Sequence, residues 1–160
     1  DNPVVFFEHK RCYQLKGEVP EEDYTIPFGK AAVKREGSDV TIVTYSHMAY
    51  VSEEAAKELE KEGISVEIVD LRTLLPIDYD TVIESIAKTG RVVVVHEACE
   101  RGGVAGEVIA EICKRGFDLL DAPPLRVGSL NVPVPFARNL EPLCPPNKDK
   151  VIAAIRKVLE

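Results

Sequence analysis

The densest run of chemically capable side chains is His96-Glu97-Ala98-Cys99, followed by Gly102-Gly103-Val104-Ala105-Gly106. An imidazole and a carboxylate stand beside a glycine-rich stretch that opens a helix. Free backbone amides and the helix dipole then point the same way, and glycine lets a ligand come close, so His96, Glu97, Gly102 and Gly103 are a candidate anion site. The run has neither Gly-Lys-Ser/Thr nor Gly-x-Gly-x-x-Gly, so helix-on-sheet packing by glycine is the competing reading. Cys99 lies three residues beyond His96, the order of a base and a nucleophile. No acyl-transfer elbow surrounds it, and a loop thiol without a catalytic role is the simpler reading. Asp70 and Arg72 fall where a strand gives way to a loop, at the edge where α/β sheets place ligands. A local ion pair that shapes the loop is the favoured reading there. His9 and His47 stand alone in the sequence and read as cap or surface groups. Glu21, Glu22 and Asp23 form a short acidic run that is solvated or steers a basic partner.

These groups are carried by alternating strand and helix signals. Thr41 to Tyr45 is short and β-branched, and Ser46 offers an N-cap to a helix running to about Glu62. Met48, Val51, Ala55 and Leu59 make its apolar stripe, with Glu53, Glu54, Lys57, Glu58 and Lys61 on the solvated face. Gly63 ends it, and Val66 to Val69 is the next strand. Pro76 and Asp78 open a second helix, with Val82, Ile83 and Ile86 inward and Gly90 at its end. Val92 to Val95 is apolar on both faces, as a central parallel strand must be. A third helix spans about Gly103 to Arg115. Leu125 to Val127 is a further strand. The last helix starts near Asn147 with Val151, Ile152, Ile155, Val158 and Leu159 on one stripe. Strands separated by such helices imply right-handed crossovers and a three-layer α/β/α domain.

The bulk properties narrow the function. A chain of 160 residues, 45% hydrophobic, buries roughly 70% of its unfolded surface as one domain. Twenty basic and 27 acidic residues give a net charge of −7, and no basic run stands ready to neutralise phosphates, so no nucleic acid partner is expected. Cys12, Cys99, Cys113 and Cys144 have no metal-binding or disulfide spacing, which fits a reducing, cytoplasmic setting. Apolar runs are too short for a membrane span. The chain starts at Asp1 without a methionine, which reads as a processed chain or a piece of a longer one. Seven of the eleven prolines lie between Pro123 and Pro146, so that segment is extended or turning.

Val66-Glu67-Ile68-Val69-Asp70-Leu71-Arg72-Thr73-Leu74-Leu75-Pro76-Ile77-Asp78, then Lys88-Thr89-Gly90-Arg91 through His96-Glu97-Ala98, carry a resemblance. So do Phe7-Glu8-His9-Lys10, Gly17-Glu18-Val19-Pro20, Asp23 to Pro27, Glu36 to Thr41, Leu120 to Pro123 and Val132 to Phe136, in the same order. The chain resembles the C-terminal domain of the β subunit of the thiamine-diphosphate-dependent decarboxylating component of 2-oxoacid dehydrogenase complexes, within the transketolase-like family. The resemblance implies a mostly parallel five-stranded mixed sheet whose first strand, Ala31 to Lys34, runs antiparallel. Residues 1–23 would be the tail of a preceding pyrimidine-binding domain plus linker, with Pro3 to Glu8 its final strand, and 24–160 the C-terminal-like domain.

The resemblance also assigns the chemistry elsewhere. In the family a glutamate of the pyrimidine-binding domain activates the cofactor, and a Gly-Asp-Gly signature on the alpha subunit holds diphosphate and Mg. The chain has no Gly-Asp-Gly, so no cofactor is expected on this fragment, and thiamine diphosphate and Mg belong to the complete enzyme. The implied role is assembly: packing against the alpha subunit and a second beta subunit, and docking the binding domain of the dihydrolipoyl acyltransferase. Val132, Val134 and Phe136, alternating with prolines, together with Ile155 and Leu159 on the last helix, are the candidate interface. Val4 to Phe7 would be an apolar edge that docks, self-associates or frays. The alternative is a stand-alone module for a small anion or regulatory ligand.

Overall fold

A computed structural model describes residues 2–160. Its strands are β1 (Ala32–Arg35), β2 (Val40–Thr44), β3 (Val66–Asp70), β4 (Val92–Cys99) and β5 (Leu125–Ser129). The helices are α1 (His47–Glu60), α2 (Tyr79–Thr89), α3 (Val104–Gly116) and α4 (Lys148–Leu159). The sheet order is β1-β3-β2-β4-β5, with β1 antiparallel to β3 and every other pair parallel. β2 is buried along its whole length, as the middle of a sheet covered on both sides requires.

The period-2 alternation of the strands divides the core into two. Val40, Ile42, Ile68, Val93 and Val95 pack against Ala55 and Leu59 of α1 and Val151 and Ile155 of α4. Val43, Val69, Val92 and Val94 point the other way, onto Val82 and Ile86 of α2 and Val108 and Ile112 of α3. Helices α1 and α4 therefore cover one face, and α2 and α3 the other.

Helix ends follow their residues. The Asp78 carboxylate caps α2 by accepting from the Thr81 amide at 3.3 Å, and its second oxygen accepts from the Ala31 amide at 3.0 Å. One side chain thus starts a helix and fixes the approach to β1. Burial pushes the Asp78 carboxyl up, but the bonds from Ala31 and Thr81 outweigh it and hold it below the usual range. Gly90 closes α2 in the left-handed conformation, φ 67°. Ser46 does sit at the start of α1, yet its hydroxyl makes no capping bond and its φ is 56°.

Two expectations at the ends are corrected. Val4 to Phe7 forms no strand, and these four side chains are exposed. A lone strand has no neighbour to satisfy its backbone, so nothing holds it extended in a ladder. Ile155 is fully buried beneath α4 and is no interface residue. It shares the inward stripe with Val151 and Val158, one turn away on either side, so the packing that seats α4 also removes Ile155 from the surface. Leu159 is partly buried, whereas Val132, Val134 and Phe136 stand out from the proline-rich loop.

Candidate functional site

Strand β2 leads into α1 on one face and its neighbour β4 leads into α3 on the other. The chain therefore diverges at the carboxyl ends of β2 and β4, and a crevice opens there by topology alone. Tyr45, Ser46 and His47 line it from the exit of β2, and Glu97 from the end of β4.

The segment before β1 crosses this crevice and adds its own side chains. His9 Nε2 lies 2.6 Å from Glu97 Oε2, and the His9 ring stacks on His47 with centroids 4.9 Å apart and planes 10° from parallel. The Arg11 amide donates to His9 Nδ1 at 3.2 Å, so that nitrogen is an acceptor and the ring proton sits on Nε2, facing Glu97. His47 Nδ1 is buried without a hydrogen-bond partner. Burial, then the neighbouring His9, holds the His47 imidazole below its ordinary pKa.

Beside this cluster is a cavity of about 420 Å³, within the usual range for small-molecule sites. Phe6, Phe7, Cys12, Tyr45 and Asp70 are among its walls. Burial raises the Asp70 carboxyl, and burial followed by the charge of Glu97 raises the Cys12 thiol and the Tyr45 phenol. Burial in the crevice thus favours the uncharged forms of the Asp70, Cys12, Tyr45 and His47 side chains alike.

The residues singled out from the sequence are distributed unevenly. His96 and Glu97 are neighbours in β4, so their side chains leave opposite faces of the sheet. Glu97 joins the His9 cluster. His96 is fully buried on the α3 side with both ring nitrogens unpartnered, and burial, then Arg126, keeps it neutral by lowering its pKa. A Cβ at Gly103 would fall 2.3 Å from His96 Cε1, and one at Gly128 2.9 Å from its Nε2. Those glycines make room for the ring itself. Gly102 adopts φ 76° in the open loop leading to α3. Cys99 is an exposed thiol whose Sγ lies 3.5 Å from the Leu130 carbonyl.

The expected pairing of Asp70 with Arg72 is also corrected. Asp70 accepts from the Arg72 backbone amide at 3.1 Å, while the guanidinium donates to the Lys30 and Ala31 carbonyls, both at 2.9 Å. The positive φ of Arg72, 55°, accompanies a side chain that lies back over the segment entering β1, within reach of the Lys30 and Ala31 carbonyls. His9 and His47, read as isolated, are the residues sequence reasoning missed. Only the folded chain brings them together, and no local spacing signals it.

A doubly wound α/β domain with a carboxyl-edge crevice is thus the class that fold and site define. Within it, the chain belongs to the transketolase C-terminal domain family, which matches residues 29–151. Over its full length it is 51% identical to the pyruvate dehydrogenase E1 component subunit beta of Bacillus subtilis, covering 49% of that protein. It is 49% identical to the acetoin:2,6-dichlorophenolindophenol oxidoreductase subunit beta of Cupriavidus necator, covering 47% of it. The 2-oxoisovalerate dehydrogenase subunit beta of B. subtilis is 46% identical, with 50% of it covered. The chain spans about half the length of these relatives. Among solved structures, a split-gene transketolase in an inactive beta4 tetramer superposes with a TM-score of 0.75 at 34% identity, over 89% of this chain and 45% of that one.

Proposed function

We propose that this chain is the assembly and partner-docking domain of the beta subunit of a 2-oxoacid, pyruvate-type dehydrogenase, supporting thiamine-dependent oxidative decarboxylation in the complete heterotetramer. The observation that carries this reading is that beta subunits named for pyruvate, acetoin and 2-oxoisovalerate systems resemble the chain almost equally, at 46 to 51%. What the chain shares with all three is independent of substrate. Scaffolding fits that pattern better than substrate selection.

The exposed apolar groups support the same reading. Phe6, Phe7, Val134 and Phe136 face solvent, the kind of surface that a partner subunit covers. The partners in this reading are the alpha subunit, a second beta subunit and the binding domain of the dihydrolipoyl acyltransferase, with self-association of the isolated chain through the same surface. A cytoplasmic setting is consistent with four cysteines that all stand as free thiols. Among the described residues no helix is long and apolar enough to cross a membrane.

The side chains present do not fit a thiamine diphosphate and Mg site. Magnesium wants an octahedron of oxygens, whereas the residues that converge among those described are two imidazoles and one carboxylate. The alternative reading, a small-anion module, has the amides at the start of α3 in its favour, although the space at Gly103 is taken by the neutral His96 ring. Titration with phosphate and with nucleotide tests that alternative, and saturable binding would favour it. Mixing the chain with the acyltransferase binding domain tests the docking role. A complex is expected, and its absence at high micromolar concentration would contradict the role.

A further inference from the structure

We propose that His9, His47 and Glu97 form a binding site for a divalent transition-metal ion of the zinc type, which pins the amino-terminal segment across the crevice. This inference stands on the geometry of the crevice and does not depend on the assembly role.

One donor atom from each of the three residues lies within 4.8 Å of the other two. Bond lengths of roughly 2.0 to 2.2 Å put the ligands of a tetrahedral zinc ion about 3.4 Å apart. The His9 and Glu97 donors stand at 2.6 Å and must open slightly, and the stacked His9 and His47 rings, 10° from parallel, must turn out of the stack to aim a nitrogen each at one ion. Two imidazoles and a carboxylate suit Zn, Co or Ni, and discriminate against Mg and Ca, which take oxygen ligands. Three protein ligands leave a fourth position for water, as in open zinc sites.

Two further observations point the same way. His47 Nδ1 is a buried polar atom without a partner, and coordination would satisfy it. The three residues also meet at the switch point between β2 and β4, where doubly wound sheets hold their ligands. The protons balance simply. An ion at His9 Nε2 takes the place of the proton now shared with Glu97, that proton moves to Nδ1, and the exposed 3.2 Å bond from the Arg11 amide is given up. No net proton is released. The ion thereby ties residues that precede β1 to the ends of β2 and β4, a link between segments remote in sequence.

The test is titration of the 160-residue chain with Co(II), read by the visible absorption of tetrahedral cobalt, and with Zn(II) by calorimetry. One ion per chain is expected, with protection of the Lys10–Arg11 bond from trypsin when the ion is bound. Loss of a ligand costs at least as much as loss of a ligand's hydrogen-bonding partner, so His47→Ala and Glu97→Gln should each weaken binding about a hundredfold or more. Circular dichroism checks that both variants remain folded. Cys99→Ser, which alters a thiol outside the cluster, should bind as the parent does. Absence of saturable binding up to high micromolar ion, or binding that survives both ligand substitutions, would overturn the site.

Discussion

Replacing Lys88 by methionine strikes at a carboxylate that the middle of the fold has to carry. Glu67 lies within β3 with only 1% of its side chain exposed. One of its oxygens accepts from the Gly37 amide at 3.2 Å and meets the Lys88 ammonium. Lys88 also reaches the exposed Glu36 at 2.5 Å, and hydrogen bonds to Glu36 and then Glu67 raise its pKa. Removing one partner of a fully buried pair costs roughly 3 to 5 kcal/mol, because the other charge stays buried and unpaired. Lys88 keeps 43% of its side chain in solvent, so water replaces part of what is lost, and about 2 kcal/mol is the discounted expectation. For a domain of this size that lowers Tm by roughly 4 to 8 °C.

The controls separate charge burial from general disturbance. Glu36→Gln, on the exposed side of the same lysine, should leave stability close to that of the parent. The double variant Lys88→Met with Glu67→Gln should regain most of the loss, since a neutral amide still accepts from Gly37 and needs no counter-charge. Urea unfolding of the four proteins reads all of these. A Lys88→Met variant as stable as Glu36→Gln, or a double variant no better than Lys88→Met, would refute the reasoning.

Other substitutions probe the remaining claims. Ile155→Ala should cost about 2 to 5 kcal/mol in chemical denaturation, because it empties part of the core under α4. Phe136→Ser should leave stability within about 0.5 kcal/mol and instead weaken partner binding, measured by calorimetry, as the ring is fully exposed. Asp70→Asn should stabilise the chain at neutral pH, because burial raises the Asp70 pKa and the ionised form is the costly one. Here the folded pKa lies above the unfolded value, so the penalty is present above the folded pKa and fades as pH falls towards the model-peptide value of 3.8. A pH series of Tm should therefore show the two proteins converging in acid. Gly90→Ala should cost at least about 1 kcal/mol through its φ of 67°, because its Cβ would also fall 2.2 Å from an oxygen of Asp121, which pairs with Arg91.

The fold was legible because its signals agree at every level. β-branched runs gave the parallel strands, Asp78, Gly90 and Asn147 marked helix ends, and the shared wording with beta subunits supplied the antiparallel β1. The site was legible only in part. His96 and Glu97 are adjacent, and adjacency in a strand means opposite faces, so their joint reading as one anion site overlooked the period of the strand that carries them. Ile155 belonged to an apolar stripe at helical spacing, which marks core before surface. The meeting of His9, His47 and Glu97 could not be seen at all, since it is made by tertiary structure between a coil, a helix start and a strand end. The Arg72 clasp is similar: its partners are main-chain carbonyls, which leave no trace in residue types.

The central claim is that decarboxylation chemistry resides in partners that this domain helps to assemble. Titrating the isolated 160-residue chain with thiamine diphosphate and Mg, then adding 2-oxoacid with an artificial electron acceptor, tests it most directly. The account predicts no saturable heat and no turnover. Stoichiometric cofactor binding, or oxidation of a 2-oxoacid by the chain alone, would contradict it.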